Sequence, residues 1–121
     1  LGPGMYKFAI RRAYNSGKLL LEFSSDPSDQ GFQAALHDAL LPLGFSVTRS
    51  EHGVWASHPG GQSEWAHVRI DSDEWCTFGE ADLWSSDLTL NRELTERLGK
   101  HLVGTGNFQQ VQWHGEHQPG A

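Results

Sequence analysis

Two stretches of this chain are apolar on one side at helical spacing, and nearly everything around them alternates at the spacing of strands. From Gln30 to Leu43, Phe32, Leu36, Ala39, Leu40 and Leu43 recur at intervals of three and four, the stripe of a helix with one buried face. Leu90, Leu94, Leu98 and Leu102 repeat the pattern at four-residue spacing. A one-sided helix must bury its stripe against another layer, and short alternating strands supply that layer as a sheet. Ser28 or Asp29 offers a cap for the first helix and Asp87 for the second. Pro42 and Gly44 stop the first helix, and the second ends before Gly104.

The strands are read from period-two alternation. In "MYKFAIRR", Tyr6, Phe8 and Ile10 alternate with Lys7, Ala9 and Arg11, and "LLLEF" returns after the turn residues "YNSGK" with Leu19, Leu21 and Phe23 on one side. "FSVTRSE", "VWASH", "EWAHVRID" and "EWCTFGE" follow, separated by the turn formers "HG", "PGGQS" and "SD". "NFQQVQWH" reads as a last strand. The order is ββαββββαβ, and the fold class is α+β: one domain, a predominantly antiparallel β-sheet with both amphipathic helices packed on one face.

At 121 residues the chain has the size of one domain with one core. Residues 1–4, "LGPG", read as a cloning remnant ahead of Met5, residues 5–114 as the domain, and residues 115–121 as a frayed tail. No apolar run approaches the roughly 18–20 residues of a membrane span. The start lacks a basic leader and an apolar run of signal length, and one cysteine, Cys76, allows no internal disulfide. The expectation is a cytoplasmic protein. Net charge is −6, with no Lys or Arg from Ile70 to Asn91. Such a chain repels nucleic-acid phosphates and anionic membranes and attracts basic proteins.

Parity within each strand assigns faces. In residues 64–71, Ala66, Val68 and Ile70 point to the core, leaving Trp65, His67, Arg69 and Asp71 outside. In residues 74–79, Cys76 and Phe78 point inward and Trp75 outward. In residues 54–58, Val54 and Ala56 point inward and Trp55 and Ser57 outward. Trp55, Trp65 and Trp75, rimmed by His67 and Arg69, are therefore expected on the sheet face away from the helices. Trp and Arg are the residue types enriched at interface hot spots, so these five are the candidate partner-binding residues. The bland alternative is cross-strand packing that does no more than shield the sheet.

Reactive chemistry finds little support. No CxxC, HExxH or HxH pairs the seven histidines into a metal site, and His52 and His58 read as solvated loop and strand residues. "DSDE" begins like a calcium loop, but Trp75 and Cys76 occupy the places of the next ligand and the glycine. An inward Cys76 is inert. The fifteen carboxylates leave acid–base chemistry open, because their separations are not legible. No metal, cofactor or catalytic residue is assigned. The expected function is a small acidic protein-binding domain, of inhibitor or immunity type, that works without catalysis against a basic protein. One alternative is a small-molecule-binding or enzymatic domain with its pocket at the Trp face or between helices and sheet. Another is a homodimer joined through the Trp face.

Overall fold

A computed structural model describes residues 5–13, 17–60, 64–65, 68–72, 77–81 and 87–113, with residues 77–81 described by their backbone. Strands β1 (Tyr6–Arg12) and β2 (Leu19–Phe23) lead into helix α1 (Gln30–Leu40). Strands β3 (Ser46–Arg49), β4 (Val54–Ser57), β5 (Val68–Ser72) and β6 (Thr77–Ala81) precede helix α2 (Leu88–Gly104) and strand β7 (Phe108–Gln110). The order is the expected ββαββββαβ. The strands form one seven-stranded sheet, β3-β4-β5-β6-β2-β1-β7, antiparallel except for the parallel β1–β7 pair.

Both helix starts are capped as their sequences indicate. The Asp29 carboxylate accepts from the Phe32 N–H and the Asp87 carboxylate from the Leu90 N–H, each at 3.0 Å. Pro42 tightens the end of α1 into a 3₁₀ turn at Leu41–Leu43, and Gly44 closes it at φ 90°, where a side chain would be strained. The second stripe differs from expectation at its start. Leu90 is exposed, while Asn91 is fully buried one position on.

Asn91 replaces a strand partner. Its Oδ1 accepts from the Leu19 N–H at 2.8 Å and its Nδ2 donates to the Leu19 carbonyl at 3.4 Å, so α2 is hydrogen-bonded to the first residue of β2. The Thr95 hydroxyl reinforces this, donating to the Asn91 carbonyl at 2.8 Å. A leucine at position 91 would extend the stripe but leave the Leu19 backbone without these bonds.

One core cluster joins both helices to the inward side of the strands. Phe32, Leu36 and Leu40 of α1 share it with Leu94, Leu98 and Leu102 of α2, Phe8 of β1, Val54 of β4 and Ile70 of β5. The helices therefore lie on one face, as expected. The sheet also curls. Phe32 packs edge-on to Tyr6 and Phe23, at ring separations of 5.8 and 5.4 Å. The next residue, Gln33, donates 2.8 Å to the Ser50 carbonyl at the end of β3. In a flat sheet β3 and β1 would stand roughly 24 Å apart. One helical turn reaches both, so the sheet bends around α1.

Asn91→Ala is expected to cost about 2 kcal/mol, because it strips a buried backbone N–H of its acceptor. Urea unfolding checks this: the midpoint should fall with the slope unchanged. A loss below about 0.5 kcal/mol would show that water replaces the side chain at Leu19.

Candidate functional site

The face of the sheet turned away from the helices is built from two cross-strand rows. Ser46 of β3 stands opposite Ser57 of β4, which stands opposite Arg69 of β5. Thr48, Trp55 and Asp71 form the second row. Alternation turns Val54, Ala56, Val68 and Ile70 inward, where all four are buried, and leaves Trp55 36% exposed with Arg69 exposed beside it. Trp55 and Arg69 are thus placed as their parity requires.

These six residues line a groove of about 420 Å³, together with Ala56 and Ile70, whose side chains turn to the core. Among the described residues its polar equipment is three hydroxyls, from Ser46, Thr48 and Ser57, with one guanidinium and one carboxylate. Arg69 and Asp71 each interact with other groups of the chain.

Trp65 is not part of this face. It is 6% exposed and belongs to the core, against the expectation that it points outward. The strand does not extend back to it. Glu64 and Trp65 form a turn in which the Val68 N–H donates to the Trp65 carbonyl at 3.1 Å, and β5 begins only at Val68. Period-two parity holds within a strand and carries no information across a turn. The indole packs on Phe45, with ring centroids 6.1 Å apart. Glu64, next to it, pairs with Arg97 of α2 at the surface.

His58 also departs from expectation. It is half-buried rather than solvated and stands edge-on to Phe45, 5.4 Å between centroids. Its Nε2 lies 3.2 Å from the Leu43 carbonyl, and its Nδ1 accepts from the Gly60 N–H at 3.4 Å. That pattern requires the tautomer protonated on Nε2. A Cβ at Gly44 would fall 2.9 Å from the same ring, so the glycine serves both backbone conformation and close approach. His52 is exposed near Glu51. Trp75, His67 and Cys76 lie outside the described residues, as do residues 1–4 and 115–121. The register corrects the inward assignment of Phe78. Position 78 pairs with Asp71 of β5 and Glu22 of β2, both on the outward rows, while Thr77 pairs with buried Ser72. The parity read for residues 74–79 is therefore reversed in β6.

Sequence reasoning missed a tryptophan. Trp113 follows β7, and its indole N–H donates to Glu22 Oε2 at 3.0 Å. The Arg11 guanidinium lies 5.5 Å over its ring and pairs with Glu22 Oε1 at 3.3 Å. Arg11 and Glu22 are on outward parities of the β1–β2 hairpin, so their shared face was legible. The arrival of Trp113 there was not, because it depends on β7 pairing in parallel beside β1, a contact the Val111 N–H continues by donating to the Phe8 carbonyl at 2.8 Å. Near this cluster, outward-facing Ala9 and Leu20 are buried at 5% each. The outer face is therefore packed over β1 and β2 and grooved over β3 to β5.

Among the described residues no group of three His, Cys, Asp or Glu is placed to hold a metal ion. No helix among them is long and apolar enough to cross a membrane. No family model, curated protein or solved structure matches this chain.

The two tryptophans should separate on substitution. Trp65→Ala empties a core position and is expected to cost about 3–5 kcal/mol. Trp55→Ala removes one cross-strand contact and is expected to cost about 1 kcal/mol or less. Thermal and urea unfolding of the pair checks this, and equal losses would contradict the assigned faces.

Proposed function

We propose that this chain is a binding domain and that the outer face of β3, β4 and β5 is its recognition surface. The supporting observation is the groove that gathers Trp55 and Arg69 with three hydroxyls on paired strands. Strand-borne side chains are held by the ladder beneath them, so little ordering remains to be done when a ligand arrives.

Within that proposal the geometry favours a small ligand over a flat protein interface. A protein contact of standard size covers about 800 Å² on each partner and is anchored by several buried aromatics. Trp65 has left the face for the core, which removes one of three expected anchors. What remains is concave, and about 420 Å³ lies within the usual range of small-molecule sites, roughly 300–1,000 Å³.

The protein-partner reading, an inhibitor-type domain opposing a basic protein, draws support from the net charge of −6. Self-association through the same face is the third form of the proposal. Its support is the open outer surface of β3–β5.

One experiment orders the three. The ¹⁵N-labelled chain is mixed with the low-mass and protein fractions of an extract of the source cells, and the amides of Thr48, Trp55 and Arg69 are followed. Shifts with the low-mass fraction alone are the expected result. Shifts or broadening with the protein fraction alone would replace it with the protein-partner reading. Concentration-dependent shifts in buffer would point to self-association. Unmoved resonances throughout would remove the outer face as the site.

A further inference from the structure

We infer that the groove takes a saccharide, with one pyranose ring lying flat on Trp55. The inference rests on the small-ligand form of the proposed function and identifies the ligand by the chemistry of the lining.

The charges limit the choice. Among the described residues the groove holds one cation, Arg69, and one anion, Asp71, with the neutral hydroxyls of Ser46, Thr48 and Ser57, and the next position in the Arg69 row is a further acid, Glu80 of β6. A phosphorylated ligand would meet a single guanidinium next to a carboxylate, in a chain of net charge −6. A cationic ligand would meet Arg69. A neutral ligand meets neither obstacle, and it can exchange hydrogen bonds with the Ser46, Thr48 and Ser57 hydroxyls.

The aromatic content limits it further. A flat heteroaromatic ring is best held between two apolar surfaces, and among the described residues the lining supplies one ring, Trp55, on one side. A pyranose needs only one. Its C–H-bearing face is apolar and weakly positive and meets the negative π-face of an indole, while its hydroxyls radiate in the ring plane. Those hydroxyls both donate and accept, which is what Ser, Thr, Asp and Arg around a single Trp provide.

The dimensions agree. Two rows of side chains across three strands mark out roughly 10 Å by 7 Å, the footprint of a sugar ring or a linked pair. The groove is open on its outer side, so a chain of sugars can continue past the site. An oligosaccharide is therefore expected to bind better than its monosaccharide.

The test is a titration of the ¹⁵N-labelled chain with defined sugars: glucose, galactose, mannose, N-acetylglucosamine, and α- and β-linked oligomers of each. Adenosine and a lysine-rich peptide serve as non-saccharide probes. The expected result is saturable movement of the Trp55 indole N–H and the Thr48 and Arg69 amides with at least one sugar. Trp55→Ala should weaken that binding about tenfold or more, and Thr48→Val, which keeps the shape but removes the hydroxyl, by a smaller factor. Unchanged dispersion of the core amides confirms that both variants are folded. Saturable movement with adenosine or the peptide and none with any sugar would overturn the saccharide inference while leaving the groove as a site. No movement with any probe would also overturn it, and the extract experiment then decides separately whether the surface binds anything.

Discussion

Phe32 has no exposed surface, and its contacts tie the ends of the sheet to one helical turn. Its ring packs against Tyr6 of β1, Phe23 of β2 and Phe108 of β7, while its neighbour Gln33 is bonded to Ser50 beyond β3. The sheet can satisfy both only by bending around α1. Sheets twist readily in one sense, so the bend exaggerates a natural tendency. A smaller side chain at position 32 would release one end of the sheet.

That packing explains why one face is saturated and the other is available. The two helices fill the inner side with aliphatic and aromatic residues, and buried amides such as Asn91 and Gln33 bond backbone groups that the strands leave over. The outer side has no helix against it among the described residues. Over β1 and β2 it is closed by Trp113 with Arg11 and Glu22, a small polar cluster that fastens the chain beyond β7 to the hairpin. Over β3 to β5 nothing comparable lies among the described residues, and the groove around Trp55 results. Among the described residues, the groove lies where the covering elements stop.

Much of this was legible residue by residue. The two stripes identified both helices, Asp29 and Asp87 identified their starts, and Pro42 with Gly44 identified the first stop. Parity placed Trp55, Ser57 and Arg69 outward, because each lies inside a strand of at least four residues where alternation is geometric necessity. It failed at Trp65, which precedes the strand it was counted with. It was silent on Trp113, whose partners come from a hairpin about ninety positions earlier. Hydrophobic stripes also mistook Leu90 for core where Asn91 is buried, since the need of Leu19 for a hydrogen-bond partner is invisible along the chain.

By itself, then, the sequence determined the elements, their order, and the inward side of β1, β4 and β5, for these follow from local stereochemistry and the burial of greasy surface, whereas the register of β6 reverses the parity read for it. It also determined that the chain is acidic, with a single cysteine and no CxxC, HExxH or HxH. Strand order in the sheet, the parallel seat of β7 beside β1, the bend around α1 and the composition of the groove were decided only in three dimensions. Each depends on contacts between residues far apart in the chain, and their free energies emerge only when the core closes.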